Sequence, residues 1–154
     1  MLRVGTKVKI KLSTHDGNDF GFIAIGTGKD KEYFLGSASE ANATVFVLEN
    51  YKSSSDIFYY RVDGTKETYL DEHTRNGVVF PEKPFFSVEA SSIHAWQLND
   101  DGYLEAIYSS RGTTEVLSEP HNTNQTDIRK HHPNAIFCNI GITCFPYKVE
   151  ILEQ

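Results

Sequence analysis

The chain has 154 residues, 39% of them hydrophobic and 12% aromatic, with a formal charge of −6. That length suits one β-rich domain over 1–154 with a core of its own, and the Tyr- and Phe-rich composition excludes a disordered chain. The acidic balance argues against nucleic-acid binding, whose affinity comes largely from Lys and Arg neutralising phosphates.

In chain order, "KVKIKL" at 7–12 alternates cleanly, with Lys7, Lys9 and Lys11 on one side and Val8, Ile10 and Leu12 on the other. Arg3 adds to this basic stripe, which reads as a solvated face; an anionic-ligand patch is the alternative. Strands are then expected at "FGFIAI" 20–25, "EYFL" 32–35, "TVFVL" 44–48, "IFYYRV" 57–62, "ETYL" 67–70, "GVVF" 77–80 and "FFSVEA" 85–90. "IHAWQL" and "YLEAIY" flank the turn at Asp100-Asp101-Gly102, followed by "TTEVLS" 113–118, "NAIFCNI" 134–140 and "PYKVEIL" 146–152. On the order of a dozen short strands at this density suit a barrel or a sandwich.

Helical signal is confined to "TDIRKHH" 126–132, where Pro133 ends a turn or two. It lies in the polar stretch 118–134, which reads as a long loop of the kind that often carries function.

Several motifs resolve into ordinary structure. "GTGKDK" at 26–31 is a polar hairpin loop, because a phosphate-binding Walker loop needs Gly where Ile23 stands and Ser or Thr where Asp30 stands. "DFG" at 19–21 lacks every other kinase feature. "DEH" at 71–73 can position a general base, but no nucleophile elbow accompanies it. His121, His131 and His132, with Glu119 and Asp127, carry the chemistry of a zinc site, yet their spacing matches no rigid motif. They read as exposed loop histidines, so neither a metal nor a cofactor is expected.

No run of apolar residues is long enough to span a bilayer, and membrane insertion is not expected. The first residues lack the apolar region of a secretory signal, leaving a mature secreted chain whose leader was removed, or a cytoplasmic one. Sequons at Asn42 and Asn124 favour the extracellular location. Cys138 and Cys144 flank "NIGIT". A turn at Gly141 would bring them within bonding reach, as a disulfide that stabilises by roughly 2 kcal/mol or as two ordinary thiols.

Asp-Gly recurs at 16–17, 63–64 and 101–102, each time after an alternating strand, which suggests a threefold unit of about forty to fifty residues. "AWQLNDDGYLEA", with Trp96 and Leu98 before the Asp101-Gly102 turn and Leu104 after it, resembles the signature of β-trefoils such as the ricin-B-like lectins and the fascin group. The resemblance implies an all-β fold, β-trefoil foremost, with a β-sandwich or another closed barrel as the alternative. The Gln-x-Trp tripeptide of ricin-type repeats is absent, so their sugar-binding residues do not carry over. "GFIAI" and "IFCNIGITCFPYKVEI" are similar to small secreted fungal cell-wall proteins.

The expected function is non-catalytic binding of a glycan or protein ligand, carbohydrate first, at the hairpin of Gln97, Asn99, Asp101 and Tyr103. There Tyr103 and the polar tip side chains would meet the apolar face and hydroxyl rim of a sugar, while Trp96, Leu98 and Leu104 face inward. A structural cell-wall role or a trefoil protease inhibitor is the second reading. A hydrolase is the third, and it requires two close carboxylates in a cleft, for which Asp101 and Glu105 are candidates.

Overall fold

The structure, a computed structural model, describes residues 2–107, 114–141 and 143–154. It is all-β apart from one short helix and three single 3-10 turns among those residues. In β1 (Lys7–Ser13) the alternation holds: Val8, Ile10 and Leu12 are buried and the lysines lie at the surface. There follow β2 (Asp19–Ile25), β3 (Phe34–Ala38), β4 (Phe46–Asn50), β5 (Ile57–Val62), β6 (Tyr69–Glu72) and β7 (Val79–Glu82). The second half contains β8 (Ala95–Leu98), β9 (Leu104–Ile107), β10 (Glu115–Ser118), β11 (Phe137–Ile140) and β12 (Lys148–Glu153).

Every ladder is antiparallel, and one arrangement recurs. β1 pairs with β2, β2 with β3, and β4 returns onto β1. β5 to β8 repeat it, with β5 on β6, β6 on β7 and β8 back on β5. β9 pairs with β10 and β10 with β11, while the Val149 N–H of β12 donates to the Gly102 carbonyl just ahead of β9. The sets are joined through β4–β5, β8–β9 and β12–β1. Their outlying hairpins meet through bridges from Leu35 to Ala135 and from Val78 to Phe137.

One interior collects side chains from β1 to Tyr147. Trp96 lies at its heart, fully buried, and its indole N–H donates to the Leu70 carbonyl at 2.9 Å. Phe34, Phe46 and Tyr60 pack ring against ring in the tilted and edge-on geometry that aromatic quadrupoles favour. Burying each large side chain contributes roughly 1.5–3 kcal/mol. A smaller cluster of Tyr59, Tyr69, Val88, Ile93 and Ala95 packs separately from this interior.

Two expected elements are corrected. "FFSVEA" is not a strand: Phe85 and Phe86 are 100% and 76% exposed, and Val88–Ala90 forms a 3-10 turn. The preceding Pro84 lacks the N–H a ladder needs, and only Val88 of the segment finds an apolar pocket. The polar stretch 118–134 holds α1 (Thr123–His131), which starts earlier than expected because the Asn122 side chain caps the Gln125 N–H. The Asp-Gly turns adopt the predicted conformation, with φ of 88°, 82° and 83° at Gly17, Gly64 and Gly102. Their positions are not equivalent, since the first two close β1–β2 and β5–β6 whereas the third closes β8–β9.

Candidate functional site

The hairpin singled out by sequence is built as a turn. Asn99 Oδ1 accepts the backbone N–H groups of Asp101 and Tyr103, both at 3.0 Å. Lys148 Nζ donates to the Asp101 carbonyl and sits 4.9 Å from the Tyr103 ring centroid. Gln97 donates across to Asp56 at 2.7 Å. These four residues share one hairpin, where Asn99 and Gln97 use their side chains in turn and cross-strand bonds, and none of the four lines the cleft described below. Trp96 and Leu104 face inward as expected; Leu98, the last residue of β8, lies beyond the interior and is 37% exposed.

The chemistry gathers instead around β6. All four of its residues, Tyr69, Leu70, Asp71 and Glu72, are buried. Alternation sends Leu70 and Glu72 toward the main interior and Tyr69 and Asp71 to the other side, beside Ile93 and Ala95. A strand that alternates apolar and acidic residues on both faces thus delivers one carboxylate to each.

Asp71 holds His94. Its Oδ1 accepts the His94 backbone N–H at 3.1 Å and lies 2.5 Å from His94 Nδ1. A carboxylate only accepts, so Nδ1 carries the proton and Nε2 turns toward Glu72 Oε1, 3.8 Å away. Glu72 shares hydrogen bonds with Glu115 of β10 and with the Cys138 thiol of β11. Burial first, then the bond to Glu115 and the repulsion of its charge, push the Glu72 carboxyl up to about 10. The Cys138 thiol is pushed up as well, by burial and then by Glu72. Donor atoms of Glu72, Glu115 and Cys138 all lie within 4.8 Å of one another, the one such group among the described residues.

Backbone geometry makes this convergence possible. Gly77, at φ 77°, lets the β6–β7 turn approach β11 so closely that its carbonyl accepts the Cys138 N–H at 2.8 Å. A Cβ there would stand 2.6 Å from the Cys138 carbonyl oxygen.

Two clefts flank the cluster. The larger, about 470 Å³, is lined by Tyr51, Tyr59, Asp71, Glu72, Glu82 and His94 among others. On its wall Phe80 stacks on the exposed His73, centroids 3.8 Å apart and rings 6° from parallel. The smaller, about 190 Å³, is lined by Glu115, Gln125, Cys138 and Asn139 among others. His73 and Thr74 border both, so the Glu72–Glu115–Cys138 group lies between them.

Cys138 and Cys144 are free thiols rather than a disulfide: Cys138 turns inward to Glu72, and Cys144 bonds to Ser118. The loop histidines disperse, His132 to Asp30 at 2.8 Å and His131 to the Asp127 carbonyl, while the His121 backbone N–H goes to Gln125. "DEH" was the one sequence signal for the site; that Asp71 would meet His94, and Glu72 would meet Glu115 and Cys138, depends on strand order. No helix of the described residues is long and apolar enough to cross a membrane. Comparison with protein-family models, with curated proteins and with solved structures finds no match to this chain.

Proposed function

We propose that the chain is a β-trefoil acting as a non-catalytic carbohydrate-binding protein, with its ligand in the larger cleft rather than on the Asn99–Tyr103 hairpin tip. The trefoil reading is supported by the threefold recurrence of one four-strand arrangement and by the meeting of the outlying hairpins. For sugar binding, the supporting observation is the cleft wall. The Phe80–His73 stack offers a flat aromatic surface, and Tyr51, with Lys52 Nζ over its ring at 5.3 Å, stands in the same wall beside Glu82, Glu89 and Ser91, whose oxygens suit a hydroxyl rim. An extracellular location accords with this reading, because both sequon asparagines, Asn42 and Asn124, are exposed.

A broad glycan array tests it. Binding that falls at least about tenfold in Tyr51→Ala and Glu82→Gln, and not in Tyr103→Ala, supports the cleft, a tenfold change being about 1.4 kcal/mol. An array without any bound glycan removes the reading. A second reading, a protein-interaction module, is favoured by the adjacent exposed Phe85 and Phe86, since paired aromatics on a loop are typical anchors of protein interfaces. Pull-down of a protein partner lost in a Phe85→Ser, Phe86→Ser double variant distinguishes it.

A further inference from the structure

We propose that Glu72, Glu115 and Cys138 form a binding site for one divalent transition-metal ion, zinc being the best match, set between the two clefts. Four observations lead there. The donors come from three different strands, β6, β10 and β11, so the site is held by the sheet and not by a loop. Their ligand atoms lie within 4.8 Å of one another, a spacing that a small inward shift converts to metal–ligand distances of about 2.0–2.3 Å. Two carboxylate oxygens with one thiolate sulfur make a mixed hard and soft set, which suits borderline zinc and disfavours magnesium or calcium.

The fourth observation concerns the histidine next to that donor group. Asp71 fixes the His94 ring through Nδ1, the carboxylate–imidazole arrangement that orients metal-site histidines, and it aims Nε2 at Glu72. Nε2 and Glu72 Oε1 stand 3.8 Å apart, within ion-pair range, so His94 meets the donor group through Glu72 and not as a ligand of its own. His94 and Glu72 line the larger cleft, while Glu115 and Cys138 line the smaller one. Three protein ligands leave a coordination position for a water or a cleft ligand. Entry of the ion displaces the protons of the Glu72 carboxyl and the Cys138 thiol to solvent.

The test uses the whole chain, stripped with a chelator and titrated with Co2+. Cobalt bound at this site gives a thiolate-to-metal charge-transfer absorption that saturates at one ion per chain and is bleached by added Zn2+. Cys138→Ser abolishes that absorption, Cys144→Ser leaves it unchanged, and Glu115→Gln, at a half-exposed position, weakens cobalt binding by at least about tenfold. Near-ultraviolet circular dichroism establishes that each variant is folded; if Cys138→Ser is not, Glu115→Gln and Cys144→Ser decide between them. Absence of stoichiometric cobalt binding by the wild-type chain overturns the proposal. So does an absorption lost with Cys144→Ser, or affinity unchanged in Glu115→Gln.

Discussion

Glu72→Gln is the most informative substitution for the buried cluster, because an amide reproduces the shape of the protonated acid and cannot ionise. The wild-type carboxyl is raised from 4.5 to about 10 in the folded chain, chiefly by burial. Between those limits the unfolded state has released a proton that the native state retains, so stability falls as pH rises. This contribution is fully present below about pH 4.5 and is lost progressively toward pH 10. One pH unit inside the window costs about 1.4 kcal/mol, so moving from pH 6 to pH 8 costs on the order of 2.7 kcal/mol. Against a typical domain stability of about 5–15 kcal/mol that is a large change. Urea unfolding of both proteins from pH 5 to pH 9, with chelator present to exclude metal, measures it. The wild-type curve should descend relative to that of Glu72→Gln by roughly this slope. Parallel curves would mean that the Glu72 carboxyl is already ionised at neutral pH, and the account of the cluster would be wrong.

Three further substitutions test the scaffold. Asn99→Ala removes the acceptor for two backbone N–H groups at the hairpin tip, and it should lower stability by about 1–2 kcal/mol in urea unfolding while leaving glycan binding intact. Gly77→Ala meets both an unfavourable φ and the Cys138 carbonyl, so a loss of at least about 2 kcal/mol is expected; a neutral result would show that β7 and β11 are not so close. Arg129→Ala deletes charged hydrogen bonds to the Ala135 carbonyl and the Tyr147 hydroxyl, together with a cation–π contact to Phe20, and should cost about 2–3 kcal/mol by calorimetry.

Strand positions were largely legible because alternation is a local property: "KVKIKL" and "IFYYRV" fall on β1 and β5 almost to the residue. "FFSVEA" misled because an apolar, aromatic composition does not say whether a ladder partner exists. The threefold unit was partly hidden for a different reason. Asp-Gly marks any tight turn, so the copy at 101–102 belongs to a connection unlike the other two. A truer period lies in the interior, where Ile23, Leu70 and Leu117 are fully buried, evenly spaced along the chain, and each in the second strand of its set. The site resisted reading because Glu72, Glu115 and Cys138 are far apart in sequence, and only the pairing of β6 with β7, of Val78 with Phe137 and of β10 with β11 joins them. The hairpin tip attracted attention since Asn and Asp serve turns and ligands with the same oxygens.

That interior period also isolates what is unusual about Glu72. Two residues after Ile23 stands Ile25 and two residues after Leu117 stands Glu119, both only partly buried, whereas two residues after Leu70 the strand carries the buried Glu72 carboxyl. An apolar side chain satisfies the fold there, and a buried acid works against it, so a requirement other than stability accounts for the acid. Glu72→Ile places the residue of the first set there, an apolar side chain larger by about one methylene. Half-exposed Glu115 can then turn to water in the smaller cleft, leaving no charge stranded. Since well-packed apolar replacement of buried polar clusters is often stabilising, by about 1–4 kcal/mol, Glu72→Ile should unfold at higher urea than wild type at pH 8. The same variant should lose cobalt binding. A variant less stable than wild type at pH 8 would show that the Glu72–Glu115–Cys138 bonds hold the sheets together in their own right, and that the acid is there for the fold.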